Sequence, residues 1–216
     1  MILAVVIVNY NVRHFLEQAL LSVRKASEGL AVETWVVDNN SVDDSVAMVQ
    51  EKFPEVRLIA NRDNVGFSKA NNQAIRASDA EYVLLLNPDT VVQEDTFAKT
   101  LAFMDLHPEI GGLGVRTIDG SGTFLPESKR GFPSPWVAFC KAFGLARLFP
   151  KSPTFNGYYL GHLSEFETHE IDVLVGSFML MRRSVLNKIG AGKRHRWLQP
   201  GRSARSRLRV RLQQQW

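Results

Sequence analysis

The apolar residues of this chain fall into short unbroken runs that alternate with stretches of helical spacing. Ile2–Val8, Glu33–Asp38, Val56–Ala60 and Tyr82–Leu86 are the runs. Each predicts a strand, and Tyr82–Leu86, bounded by turn residues, predicts one buried on both faces. Between them, Leu16, Ala19, Leu20 and Val23 predict an amphipathic helix over His14–Ser27 that ends at Gly29. Val42, Val46, Val49 and Phe53 share a second helical face, with Ser41-x-x-Asp44 as its N-cap signal and Pro54 as its stop. Phe67, Ala70, Ala74 and Ala77 mark a third helix; Phe97, Leu101 and Met104 mark a fourth over Glu94–Leu106. Strand–helix alternation four times over implies right-handed crossovers and an α/β fold with a mostly parallel central sheet.

The regularity then breaks. Gly111–Ile118 and Thr123–Leu125 flank Asp119-Gly120-Ser121-Gly122 and predict a hairpin or edge strands. Trp136–Phe149 is apolar, interrupted only by Lys141 and Arg147. Its first reading is a helix packed on the sheet; its second is an aromatic and basic surface that touches a bilayer interface. Ile171–Met181 reads as a late strand, and Arg182–Ile189 begins a helix.

Composition narrows the class. At 216 residues, 45% hydrophobic and 22% charged, the chain suits one well-buried core with a small appendage. A single cysteine, Cys140, rules out an internal disulfide and fits a reducing compartment. Ile2–Val8 is too short for a signal peptide or a membrane span, so any membrane contact is expected to be peripheral. The net charge of +4 comes from the tail: residues 191–216 carry eight Lys or Arg and no acidic residue, and the other 190 carry 18 basic against 22 acidic. No nucleic-acid partner is expected from such a distribution.

Two carboxylates stand where α/β sheets place ligands. Asp89 follows the Tyr82–Leu86 run after a break at Asn87-Pro88, because proline cannot continue a central strand. Asp38 ends the second run. Such groups bind a divalent cation, or accept a hydrogen bond from a base or ribose, or merely stabilise a turn. Asn64-Val65-Gly66-Phe67-Ser68-Lys69 opens a helix whose N-terminal amides suit phosphate or sugar oxygens. Asn64 reads locally as an ordinary N-cap.

VVIVNYN, VVDNNSVDDS, NVGFSKANNQAI and LLLNPDTVV, in this order, resemble the nucleotide-sugar half of family 2 glycosyltransferases of the GT-A fold, and GSFMLMRRSVLNKIG resembles the segment preceding their catalytic base. The nearest group is rhamnosyltransferase-like and acts on polysaccharide or lipid-linked precursors. The resemblance covers residues 2–190 and implies a three-layer sandwich. It implies inverting transfer from a nucleoside-diphosphate sugar to a saccharide or lipid-linked acceptor, with Mg²⁺ or Mn²⁺. It implies that Asp38 contacts the base or ribose and that Val8, Asn9 and Tyr10 form the loop over the nucleotide. Asn64 and Gly66 then line the donor pocket, Lys69 faces the phosphates, and Asp89 is the metal ligand. Asn87 stands where the family usually has a first aspartate, which lowers the charge there.

After Gly190 the family is expected to continue into a segment bearing the base. Here it reads AGKRHRWLQPGRSARSRLRVRLQQQW, without a carboxylate. A shifted reading frame near residue 190 is the expectation, with 1–190 as a C-terminally incomplete GT-A domain and 191–216 as an irregular, non-family tail; the alternative is a natural basic extension that binds anionic lipid or RNA. His162, Glu165, Glu167, His169, Glu170 and Asp172 form a solvated loop rather than a replacement base. Two functions stand open: a transferase impaired by the loss, or a non-catalytic nucleotide-binding remnant. A nucleotidyltransferase would want a glycine-rich loop after the first strand, which NYNVRHF lacks.

Overall fold

A computed structural model describes residues 2–131, 134–171, 173–189 and 210–213, in two compact units. The first unit comprises Met1–Leu106 and Gly176–Arg207. It contains β1 (Leu3–Asn9), α1 (Arg13–Ala26), β2 (Val32–Asp38), α2 (Ser45–Lys52), β3 (Arg57–Ala60), α3 (Phe67–Ala77), β4 (Tyr82–Leu86) and α4 (Thr96–Leu106).

β1 is the axis of this unit. It runs parallel to β2 on one side (Asn9 level with Asp38) and to β4 on the other (Ile7 level with Leu86), and β3 extends the sheet beyond β2. Every residue of β1 and of β4 is buried, as unbroken apolar runs flanked by strands and helices require. The pleat divides their side chains between two layers. Ala4, Val6 and Val8 of β1, Val83 and Leu85 of β4, and Trp35 and Val37 of β2 pack with Ala70, Ala74 and Ile75 of α3. The crossovers through α1 and α2 move outward along the sheet and the α3 crossover returns, which sends α3 to this face. The three-layer α/β fold is therefore present, with the boundaries of its first four strands and helices close to those the spacing predicts.

The predicted late strand is not continuous. The Gly176-Ser177 turn separates β6 (Glu170–Ile171) from β7 (Phe178–Arg182), and β7 pairs antiparallel with β4. Alternation of Phe178, Leu180 and Met181 with less buried positions cannot reveal that reversal, because strand direction leaves no mark on apolar content. α7 (Arg183–Ile189) follows, and Leu186 joins the α3-facing core. Arg183 donates to the carbonyls of Ile75 and Ala80 and to the Ser78 hydroxyl. It thereby satisfies carbonyls that the end of α3 leaves open.

The second unit comprises His107–Val175 and Leu208–Trp216. β5 (Gly112–Val115) pairs parallel with β8 (Val210–Gln213), and β6 pairs antiparallel with β8. Four residues of the tail, expected to be irregular, are thus strand; the rest of 190–216 lies outside the described residues. The hairpin forms as expected: Ile118 bridges Phe124, and Asp119 accepts from the amides of Ser121 and Thr123. Trp136–Phe149 is not one packed helix. α5 (Pro135–Ala142) and α6 (Leu145–Leu148) are separate, and only Cys140 of α5 is buried. Gly144 breaks them at φ +72, a conformation that costs glycine little. No helix among the described residues is long and apolar enough to cross a membrane.

Tyr82 offers a test of the β4–β7 seam. Its buried hydroxyl donates to Asp105 Oδ1 at 2.5 Å and accepts from Arg182 Nη1 at 2.8 Å. Burial, reinforced by that bond to Asp105, pushes the phenol up to about 12. Tyr82→Phe should cost about 1 kcal/mol at neutral pH. A raised pKa gives stability that is present below the ordinary value of 10 and lost as pH rises through about 12. Urea denaturation across that range should show the wild type losing its advantage over Tyr82→Phe; a constant gap would remove the hydrogen bond from the account.

Candidate functional site

Because β1, β2 and β4 are parallel, their carboxyl ends share one edge, and register sets what meets there. Asn9 and Asp38 are cross-strand partners, and the Asn87-Pro88-Asp89 turn follows Leu86 on the other side of β1. Asn9 Nδ2 donates to Asp38 Oδ1 at 2.7 Å and to Ser41 Oγ at 3.0 Å, and both Asn9 and Asp38 are buried. The second oxygen of Asp38 accepts from the Ser41 amide at 2.8 Å. Reversing the Asn9 amide would set its carbonyl against the carboxylate, so the carboxylate fixes its orientation. Asn9 Oδ1 is left buried without a partner among the described residues, an acceptor that a ligand N–H or a water would satisfy.

The loops after β1 and β2 are stitched together. The Asn11 amide donates to Ser41 Oγ, the Val42 amide to Asn11 Oδ1, and the Arg13 amide to Asp43 Oδ2. Asn11, Asn40 and Asp44 hold positive φ angles of 55°, 67° and 61°. Asn and Asp tolerate this region better than other side-chain-bearing residues. Ser41 is therefore not the cap of α2. Asp44 holds the N-cap position without a side-chain bond, and Asp43, just before it, accepts from the Ser45 amide and hydroxyl while also receiving the first amide of α1. Burial draws Asp43 upward, but the bonds from Ser45 and Arg13 outweigh it and hold its carboxyl below the usual range.

A second layer of amides ties in β3 and α3. Asn61 donates to Asn39 Oδ1, and Asn61 and Gln73 exchange two bonds of 2.8 and 3.0 Å. The loop from Asn61 thus starts beside Asp38 and ends at Gly66, whose φ is +84. Asn64 accepts from the Gly66 amide across this turn and does not cap α3. Asn64, Gly66 and Lys69 are exposed, Tyr10 is half-exposed, and Val8 belongs to the core.

On the β4 side, Asn87 and Pro88 are half-buried and Asp89 is exposed. The Asn87 amide donates to the Ser177 carbonyl, which brings the turn before β7 against Asn87. The sequence pattern gave no signal for Ser177, because the reversal into β7 is a tertiary event. It equally missed Asn39, Ser41, Asn61 and Gln73, ordinary turn and helix residues until their partners are known. Among the described residues no three His, Cys, Asp or Glu side chains gather in a way that would hold a metal. Asp89 nonetheless suits a magnesium-like ion, which binds one or two carboxylates together with substrate phosphates rather than a closed protein cage. No hydrogen bond or ion pair within the described residues engages its carboxylate.

The acidic loop of the second unit forms no such arrangement. Glu165 pairs with Arg116 at 3.4 Å, and His169 approaches Glu167 at 3.8 Å and the Ser164 carbonyl at 3.0 Å. Asp172 lies outside the described residues.

The family described as Glycosyl transferase family 2 matches residues 4–190. N-acetylglucosaminyl-diphospho-decaprenol L-rhamnosyltransferase of Mycobacterium tuberculosis is 30% identical over 200 residues, covering 88% of this chain and 64% of that protein. The minor teichoic acid biosynthesis protein GgaB of Bacillus subtilis is 31% identical over 102 residues, 45% of this chain and 11% of that one. Among solved structures, S. aureus TarS 1–349 in complex with UDP-GlcNAc superposes with a TM-score of 0.56 at 20% identity, covering 88% of this chain and 48% of TarS. The mannosyltransferase PcManGT from Pyrobaculum calidifontis, in complex with GDP-Man and Mn²⁺, gives 0.55 at 17% identity, covering 87% and 46%. The chain thus spans under two thirds of the rhamnosyltransferase it resembles.

Asp43 gives the loop arrangement its test. Asp43→Ala should cost about 1–2 kcal/mol, the loss typical of a helix cap, here at the start of two helices. A lowered pKa gives stability present above the ordinary aspartate value of 3.8 and lost as pH falls through the folded value. Denaturation below pH 3.8 should therefore bring wild type and variant together. A difference that persists in acid would assign the loss to packing.

Proposed function

The chain belongs to glycosyl transferase family 2, and on that premise we propose that its carboxyl edge binds a nucleoside-diphosphate sugar for inverting transfer to a lipid-linked or polysaccharide acceptor. The observation that carries this reading is the Asn9–Asp38–Ser41 cradle at one side of β1, with the exposed Asp89 at the other. Asn9 and Asp38 recognise the base or ribose, Asn9 through the carbonyl oxygen that has no partner among the described residues. Tyr10, on the exposed loop after β1, covers the nucleotide, and Val8 supports that loop from the core. Asn64 and Gly66 line the donor pocket, and Lys69 faces the phosphates. The lipid-linked acceptor draws on the decaprenol-linked substrate in the rhamnosyltransferase's name.

Asp89 would hold a Mg²⁺ or Mn²⁺ ion, with Asn87 as a neutral neighbour. Bound there, such an ion supplies positive charge against the leaving diphosphate. Mn²⁺ accompanies GDP-Man in the PcManGT complex, which supports a divalent cation without fixing which one. The protein's own part is positional: the cradle orients the donor so that an acceptor hydroxyl meets the anomeric carbon from the face opposite the diphosphate. That hydroxyl must lose its proton to a base. The last acidic side chain in the sequence is Asp172, and the residues expected to carry the base contain no carboxylate.

The carboxylate-free residues 191–216 motivate a second reading, in which residues 1–216 bind the donor and by themselves transfer weakly or not at all. Loss of a general base costs about two to four orders of magnitude in rate. Cytoplasmic placement at a membrane face follows from the acceptor class and belongs to the same proposal.

Calorimetry with UDP-, dTDP- and GDP-sugars, with and without Mn²⁺, should find a donor whose affinity rises with the ion. In Asp89→Ala the metal-dependent gain should disappear while metal-free binding remains. An unchanged metal response would take Asp89 out of the site, and no binding of any donor would overturn the function. A parallel turnover assay separates the impaired transferase from the binding remnant.

A further inference from the structure

We propose that the α5–α6 face of the second unit is a docking surface for an anionic lipid bilayer. α5 turns only Cys140 fully inward, and Trp136, Phe139 and Phe143 project outward at i, i+3 and i+7. These three, with Leu148 and Phe149 at the end of α6, are between 44% and 71% exposed. The rings are contiguous. Phe143 lies 4.4 Å from Phe139, Phe139 5.5 Å from Trp136, Trp136 6.4 Å from Phe155, and Phe155 5.2 Å from Phe149. Single exposed apolar residues need no explanation, but a connected strip of five aromatic rings marks an interaction surface.

Charge and hydrogen bonding identify the occupant. Residues 128–164 contain no Asp or Glu and carry Lys129, Arg130, Lys141, Arg147 and Lys151. Lys129 is buried, with its ammonium on the Leu163 carbonyl, so it serves the fold. Lys141, Arg147 and Lys151 are exposed within the same segment, and Lys141 lies over the Tyr158 and Tyr159 rings. Aromatic rings at headgroup depth with cations against lipid phosphates are the arrangement by which surface helices bind anionic membranes. The Trp136 indole N–H already donates to the Thr154 carbonyl at 3.0 Å. Trp136 can therefore enter an apolar boundary without stranding a donor. Ser134 and Gly144 fix the two ends of α5: the Ser134 hydroxyl accepts from the Val137 amide, and Gly144 turns the chain. The surface is built before the bilayer is met.

The inference deepens the lipid-linked-acceptor reading and rests on it for its purpose: an enzyme whose acceptor is lipid-borne gains from standing on the lipid. Its test does not read transfer. The full chain is sedimented with vesicles of phosphatidylcholine alone and with vesicles of equal parts phosphatidylcholine and phosphatidylglycerol. The wild type should partition onto the anionic vesicles and release as salt is raised. Combined Trp136→Ser, Phe139→Ser and Phe143→Ser should lower partitioning at least about tenfold, since each ring brings apolar area to the interface. Combined Lys141→Gln, Arg147→Gln and Lys151→Gln should lower it by more, at about fivefold for each cation. All six positions are exposed, so circular dichroism should match the wild type, and the serine variant should melt only slightly lower through loss of the Trp136 bond to the Thr154 carbonyl.

Wild-type protein that ignores anionic vesicles would overturn the proposal. So would variants that bind like the wild type, which would assign the contact to the basic residues 191–216. A wild-type dimer that the serine variant dissociates, without vesicle binding, would assign the strip to a second copy of the chain. Vesicle binding with transfer only to soluble saccharides would sink the acceptor reading and leave the surface standing.

Discussion

The buried hydrogen bond between the Asn9 amide and the Asp38 carboxylate is the constraint on which the carboxyl edge depends. It forms only because β1 and β2 are parallel and in register, with Asn9 opposite Asp38. A carboxylate removed from water is costly unless its oxygens are paired. Here one oxygen takes the Asn9 amide and the other the Ser41 amide. Ser41 then receives the Asn11 amide, so the demand of one buried charge is passed outward into two loops. The geometry of the carboxyl edge is thus a consequence of satisfying Asp38. This also resolves the choice between turn stabilisation and ligand recognition for Asp38: the turn-stabilising role is present in the structure, and the proposed recognition of the donor is built upon it.

The two units distribute charge and apolar surface differently, and that difference divides the labour proposed for them. In the first unit the sheet buries β1 and β4 completely, although Phe15, Phe67 and Leu106 stay exposed on its helices. Polar groups concentrate at the strand ends, where amides and carboxylates are held by one another. In the second unit short strands and helices cover less, and a strip of rings remains open in a segment with three exposed cations. Membership of glycosyl transferase family 2 is consistent with the first arrangement; the second is a feature of this chain's own residues.

Most of the first unit was legible in the sequence, for a physical reason. Strands buried on both faces must be apolar throughout, and helices on a sheet must repeat every three to four residues, so both leave a local record. The exceptions share one cause. Ser41 and Asn64 have the chemistry of caps, but their oxygens were claimed by amides elsewhere: Asn11 across 30 positions for Ser41, Gly66 within a turn for Asn64. Ile171–Met181 has strand composition, yet the chain turns within it and pairs Phe178–Arg182 antiparallel to β4. Trp136–Phe149 has the composition of a packed helix, and Gly144 together with the outward phase of α5 left its rings exposed. Composition records how apolar a segment is, not what lies opposite it.

By itself the sequence determined the α/β alternation, the two strand-end carboxylates Asp38 and Asp89, and the absence of any acidic side chain after Asp172. These are properties of single residues and short periods, which local sterics and solvation fix. Only the tertiary structure decided that Asn9 and Asn39 join Asp38 and Asn61 in one polar edge, that Asp43 accepts the first amides of two helices, and that Ser177 meets Asn87. Each depends on strand register and on pairs distant in sequence. A hydrogen bond across 20 to 90 positions has no local signature until the sheet sets its partners side by side.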